Sequence, residues 1–346
     1  MSDQITIMPE QAKKWCRDFL VAKCRQTQED ADIVADVLVN ANLRGIESHG
    51  LQMMTTYVNR FSRIQTHART ILNETPTSAI IDGGDGMGMP TAVFSMKKAI
   101  ELAKKSGVGI VSVRNSDHFG ATAYYALMAP EEDMIGIAMT NAGKRLAPWG
   151  GLDAILGNNP LAIAAPANKL PVVLDMANST VAFQKIVLYA REGLPLPEGW
   201  AMDAQGEPTT NADAALKGLL MPVGGYKGVG LTVMVDILSG ILSQNGVSES
   251  VADNDDYDKP RKIGHLFMAI RISDFVDPKK FRNDMDAFID RLHNVRKKEG
   301  VDKIYVPGEI EHYKELECTK NGFTLSAAAV ARLNKLSDDF GVAKLC

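Results

Sequence analysis

Two short stretches carry the same kind of chemistry. ESHG (47–50) and SDHFG (116–120) each set a histidine between a short polar run and a glycine, at the junction of two elements. A neutral imidazole can pass a proton near pH 7, so His49 and His118 in one cleft would suit carbonyl reduction or alcohol oxidation. In such a reaction the substrate oxygen needs a proton donor or acceptor, and a cation steadies the negative end of the substrate. Arg44, Arg114, Lys144 and Arg145 are candidates for that cation. Each histidine also has a plainer use. His49 could cap the last carbonyls of the preceding helix, and His118 could hydrogen-bond backbone beside its turn. His67, His293 and His312 sit in charged surroundings and are predicted to be exposed, while His265, in IGHLFMAI, could be structural or line a cleft. No HExxH or clustered spacing occurs, so a metal is not indicated.

A phosphate-holding turn is the second chemical signal to look for. The G-x-G-x-x-G fingerprint of a doubly wound dinucleotide domain is missing. DGGDGMGMP (82–90) follows a strand and precedes a helix, but its glycines fall at 83, 84, 86 and 88. GGYKGVG (224–230) is more suggestive. Lys227 stands directly before a strong helix, whose free N–H groups favour an anion such as a nucleotide phosphate. A backbone role for this turn is the alternative.

These residues must be positioned by the elements around them. EQAKKWCRDFLVAKC and TQEDADIVADVLVNANLRG read as amphipathic helices, the second with Thr27 and Asp30 as a capping box. A third helix carries Leu51, Met54 and Val58, with Met53 and Met54 as core or pocket wall. From Ser78 the pattern alternates. SAIIDGG, GVGIVSVRNS and MIGIAMTNA read as strands, and PTAVFSMKKAIELAKK and GATAYYALMA as helices between them. LAIAAP and PVVLDMA form a candidate hairpin, followed by a turn-rich surface excursion from Arg191 to Ala215. Residues 229–242 are a helix, KIGHLFMAIRI a strand, and two further helices start at Asp277 and Ser326. The acidic run DNDDYD (253–258) reads as a solvated loop.

The composition agrees with an α/β protein of this size. Forty-two acidic against 38 basic residues leave a net charge of −4, which argues against nucleic acid as a partner. Cys16, Cys24, Cys318 and Cys346 form no CxxC pair, as suits a reducing compartment. No signal-like or membrane-spanning segment is evident, so a cytoplasmic location is expected.

RGIESHG (44–50), NSDHFG (115–120), APWGG (147–151), GNNPLAIAAP (157–166), LDMANS (174–179), GWAMDAQGEPTT (199–210), GGYKGVGL (224–231) and YVPGE (305–309) together resemble the type 2 malate/L-lactate dehydrogenase family. The resemblance covers almost the whole chain. It implies an α/β, sulfolactate dehydrogenase-like fold unrelated to the doubly wound domain, which accounts for the missing fingerprint. It further implies NAD or NADP as cofactor, a homodimer, and His49 and His118 as the proton-transferring pair. Cofactor contacts would come from Asp175, Met176 and Ala177, from Tyr226, Lys227 and Gly228, and from Pro307, Gly308 and Glu309. The turn containing Asn159 would shape the cleft. Arg44, Ser48, Lys144 and Arg145 would lie near the substrate. The expected division is an N-terminal helical region (1–75) packed with a C-terminal strand and helix (300–346). Between them, an α/β body (76–299) would divide near 120–130.

The chain departs from the family pattern in three places. Where the first motif commonly continues SHG-x-x-R, this sequence has Met53, and a thioether cannot offer a carboxylate the bidentate fork of arginine. Gln184 stands where many members have glycine, and Asp117 where asparagine is common; Asp117 could hold His118 through a charged hydrogen bond. Either another cation among Arg44, Lys144 and Arg145 binds the carboxylate, or the methionines admit a more apolar substrate. The leading expectation is interconversion of a 2-hydroxy acid and a 2-oxo acid. An NADPH-dependent cyclic imino-acid reductase and a non-catalytic nucleotide-binding protein are the alternatives.

Overall fold

The computed structural model describes residues 4–252 and 256–346; residues 253–255 of the expected acidic loop lie outside them. A seven-stranded mixed sheet forms the centre. Its spatial order is Thr70–Glu74, Ser78–Asp82, Val108–Ser116, Ile263–Arg271, Met134–Thr140, Leu161–Ala165 and Val172–Met176. Only the pairing of Ser78–Asp82 with Val108–Ser116 is parallel. The crossover between these two strands is the helix Gly88–Ser106, and the length of that connection is what a parallel pair requires. The strand Ile263–Arg271 arrives late in the chain yet inserts between Val108–Ser116 and Met134–Thr140, antiparallel to both. Its residues are apolar on both sides except His265 and the terminal Arg271, as expected for a strand covered on two faces.

The chain ends meet. Gln4–Ile7 pairs antiparallel with Phe323–Ser326. One hydrophobic cluster joins Trp15, Phe19 and Leu38 from the first two helices with Leu333 and Leu336 from the last. Those helices, Pro9–Lys23 and Gln28–Leu43, bury the stripes that their spacing marks. Thr27 Oγ1 accepts the Asp30 N–H, but the other half of the capping box does not form. The Asp30 carboxylate instead receives both Arg69 guanidinium arms at 2.8 and 3.1 Å.

Three expectations change on inspection of the structure. GATAYYALMA forms only one helical turn, Ala123–Ala126, before a 3-10 turn at Pro130–Glu132. The excursion from Arg191 onward is not merely surface. Two-residue strands at Ala201–Met202, Pro208–Thr209 and Leu219–Leu220 close a small sheet over Leu196, Ala201 and Ala212. The helix at 229–242 begins earlier, at Tyr226, and changes to π geometry over Asp236–Ile241. Among the described residues, no helix is long and apolar enough to cross a membrane.

Candidate active site

The helix Gln28–Leu43 ends at Arg44, and two 3-10 turns, Glu47–His49 and Leu51–Met53, lead into the helix Met54–Phe61. Asn42 Oδ1 accepts the Leu51 N–H at 2.8 Å and pins this turn to the preceding helix. His49 is therefore carried on its own turn, not used as a helix cap. The strand Val108–Ser116 delivers His118 just beyond its end. Gly120, at φ +80°, reverses the chain there in a conformation that a side chain would strain. The two imidazoles come together with ring centroids 5.6 Å apart and planes 25° from parallel.

Both rings face a cavity of about 470 Å³. Ser48 Oγ lies 2.9 Å from His49 Nδ1. His118 Nδ1 is 2.6 Å from the Tyr57 hydroxyl, with the Gly120 N–H a longer second donor at 3.4 Å. Desolvation depresses the His49 pKa. It depresses that of His118 well below the ordinary value, with the charges of His49 and Arg261 adding to the effect. Tyr57 is pushed the other way by burial and by Asp117, so its proton stays on. Both imidazoles are thus neutral near pH 7. A hydroxyl can donate or accept, so Tyr57 supports either tautomer of His118. In the tautomer with Nδ1–H directed at the Tyr57 oxygen, which forgoes the longer Gly120 N–H contact, the Nε2 lone pair can take the proton of a substrate alcohol. The resulting imidazolium can return that proton to a carbonyl oxygen.

Several of the sequence-derived residues meet at this cavity. Arg44, Ser48, His49, Met53, His118, Arg145, Asp175, Met176, Ala177, Pro307 and Gly308 all contribute to its wall. Met54 does not; it is fully buried in the helical core, and Met53 alone of the pair reaches the cavity. Arg44 Nη1 is held at 2.7 Å by Glu315. The Arg145 guanidinium lies 4.5 Å from the centre of the Phe183 ring.

Other expected contacts are not part of the wall, for reasons visible in their hydrogen bonds. Asn159 is a buried strut: its Oδ1 accepts the Ala142 N–H, and its Nδ2 donates to the Thr232 carbonyl. Glu309 is fully buried, accepts the Val306 N–H, and pairs with His293 at 2.7 Å and Lys303 at 2.8 Å, closing the loop that presents Pro307 and Gly308. His293, expected to be exposed, is consequently tied into that loop. Asp117 lies beneath the cavity. Its Oδ1 accepts the backbone N–H of His118 at 2.7 Å, while the His118 ring goes to Tyr57. Lys144 opens the short strand Lys144–Leu146, and it is Arg145 that turns to the cavity. Tyr226 and Lys227 are exposed at the head of their helix, and with Gly228 they stand apart from the cavity wall.

Two groups of the site escaped the motif reading. Tyr57 is four residues after Met53, hence on the same helix face, and that spacing was the available signal. Arg261 precedes the inserted strand and belongs to no motif. Only the pairing of Ile263 with Ser116 brings it beside Asp117 and His118.

The rest of the wall suits a nicotinamide nucleoside. It includes small or backbone groups at Ala121 and Ala123, the end of the strand Val172–Met176, and the loop Pro307–Gly308. At Gly308, with φ +82°, an added Cβ would meet Val173 atoms at 2.8 and 2.9 Å, so only glycine lets this loop press onto the strand. Asp175 accepts the Ala123 N–H at 2.8 Å, and its carboxyl is raised to about 6, mainly by desolvation. The residue is ringed by protein but open to the cavity, where it can accept from a hydroxyl or amide. A nicotinamide held there would supply hydride chemistry beside the two neutral imidazoles.

A central mixed sheet without the glycine fingerprint, bearing a paired-histidine cleft, defines an oxidoreductase class distinct from the doubly wound dehydrogenases. The family described as malate/L-lactate dehydrogenase matches residues 7–334, and the chain belongs to that family. It is an NAD(P)-dependent oxidoreductase. A malate dehydrogenase of Pyrococcus abyssi is 42% identical over 334 residues, covering 93% of this chain and 92% of the relative. An L-sulfolactate dehydrogenase of Methanocaldococcus jannaschii is 37% identical over 339 residues, 97% of each chain. The crystal structure of malate dehydrogenase from Entamoeba histolytica superimposes with a TM-score of 0.93 at 32% identity, covering 99% of both chains.

Proposed function

We propose that the protein interconverts a small 2-hydroxy acid and the corresponding 2-oxo acid, using NAD or NADP. The observation that carries this reading is the His49–His118 pair, with His118 backed by Tyr57, lining one cavity with Ala121, Asp175 and Gly308. A hydroxy acid placed in that cavity would have its hydroxyl at a neutral imidazole and its carbinol carbon toward the cofactor. The names of the similar malate and sulfolactate dehydrogenases support an anionic 2-hydroxy acid over a cyclic imine. NADH and NADPH oxidation, followed with pyruvate, oxaloacetate, longer 2-oxo acids and cyclic imino acids, tests the reading. Turnover is expected with at least one 2-oxo acid. Consumption of cofactor with cyclic imino acids alone would replace this reading by an imine reductase.

We also propose that the working form is a homodimer. The helix from Tyr226 and its π continuation expose Leu231, Met234, Ile241 and Leu242, with Met234 50% and Ile241 58% accessible. Apolar exposure concentrated on one helix is the signature of a covered face. The terminal helices, by contrast, spend their apolar stripes inside the chain's own core.

A further inference from the structure

Met53 leaves the family's first motif without its arginine, and the cleft must still hold a negative substrate end. The cations expected to substitute are spoken for or misplaced. Arg44 spends Nη1 on Glu315 and keeps an unpartnered Nε, Lys144 is not on the cavity wall, and Arg145 is stacked on Phe183 and donates to the Lys144 carbonyl. Arg261 is different. It lines the same cavity as His49, His118 and Met53, yet is only 3% exposed. Its Nε donates to the Ala252 carbonyl at 3.3 Å, which fixes the plane of the guanidinium. Its Nη1 has no hydrogen-bond partner; the nearest acid, Asp117 Oδ1, stands off at 3.9 Å. Among the described residues, no acceptor receives either terminal nitrogen. A guanidinium removed from water with donors unspent is costly, and a ligand carboxylate is the group that would satisfy it.

We propose that Arg261 is the substrate-carboxylate anchor of this enzyme, taking over from the arginine that Met53 replaces. The substitute comes from another element, two residues ahead of the strand Ile263–Arg271. The carboxylate is then gripped from the Asp117–His118 side and not from the Met53 turn, while Met53 presents an apolar wall to the rest of the substrate. Asp117 holds the guanidinium electrostatically without consuming its donors, which gives a purpose to an acid that does not touch the cavity.

The inference rests on the 2-oxo-acid reading, and its test separates the two. In Arg261→Gln, KM for pyruvate or oxaloacetate is expected to rise roughly 10- to 100-fold, as for a lost charged hydrogen bond. Turnover of the methyl ester of pyruvate, which has no carboxylate, should fall far less, and NADH affinity should be kept. An equal fall for acid and ester, or an unchanged acid KM, would overturn the assignment. Where the glutamine variant fails to fold by its melting curve, Arg261→Lys takes its place. It keeps the charge but loses the fork, and should shift the acid-to-ester ratio in the same direction. A wild type that reduces no 2-oxo acid refutes the functional reading. Calorimetric titration of oxalate into the NADH-loaded protein then decides Arg261: weaker binding to the variant supports the anchor, and equal binding overturns it.

Discussion

His118 and His49 are anchored by different groups, and the difference predicts their behaviour. His118 leans on Tyr57, a buried hydroxyl from another element, whereas the hydrogen-bond partner of His49 among the described residues is the adjacent Ser48. A proton carrier needs a fixed ring and a partner that tolerates both protonation states, which favours His118. His118→Asn should lower turnover by roughly 10²-fold or more, with cofactor affinity retained. His49→Asn is expected to show the smaller loss, as a residue that orients substrate. Stopped-flow turnover beside fluorescence titration of NADH measures both. The pH profile follows from the depressed pKa of His118. Alcohol oxidation needs the unprotonated ring, so the rate should be flat above pH 6.5 and fall only below it. An oxidation rate that titrates at or above 6.5 would mean that the base is another group. The two histidines were legible because each sits in a short polar-glycine motif. Arg261 was not, since nothing local distinguishes it from any surface arginine and only a strand pairing across 147 residues, Ser116 with Ile263, brings it in.

At the scale of elements, local signals with local causes were readable. Thr27, Asp277 and Ser326 each cap the helix that follows them by accepting the N–H three residues on. Where a helix ends and which face it buries were harder to read. GATAYYALMA has helical spacing, yet the helix stops after one turn, ahead of Pro130, which lacks an N–H and opens a 3-10 turn. The helix beginning at Tyr226 shows the second limit. The sequence marks it as a helix, but the structure leaves Leu231, Met234, Ile241 and Leu242 exposed. Its buried side is polar at Asp236, whose carboxyl is raised to about 6 by burial despite hydrogen bonds to Asn159 and Asn141. The proposed homodimer would cover the outward-facing Met234 and Ile241. Met234→Asp combined with Ile241→Asp should shift the protein from about twice the 37.6 kDa chain mass to that mass in light scattering. A wild type that is monomeric at micromolar concentration would remove the dimer.

For the molecule as a whole, the same burial that tunes the site makes the fold sensitive to acid. His265 sits at the centre of the sheet, fully buried between Ser116 Oγ at 2.9 Å and Thr140 Oγ1 at 2.8 Å, and stacked on Phe119. Burial depresses its pKa from 6.5 to about 3. Between those values the unfolded chain binds a proton that the folded one refuses. Stability from this group is therefore complete above pH 6.5 and is lost as pH falls through the window, by about 1.4 kcal/mol per pH unit. His49 and His118 act in the same direction. Asp236 and Asp175 oppose them. Their carboxyls are raised to about 6, so the folded state holds protons that the unfolded state has released, and stability is gained as pH falls through that range. The acids have nothing further to contribute below about pH 4, where an unfolded carboxyl is itself protonated, whereas His265 continues to weaken the fold toward pH 3. Subtraction isolates its share. His265→Gln keeps one side-chain hydrogen bond but cannot titrate, so it should be less stable than the wild type at pH 8. That deficit should shrink steadily between pH 6.5 and 3.5 in urea melts. A deficit that stays constant across the range would show that His265 is not held neutral in the core.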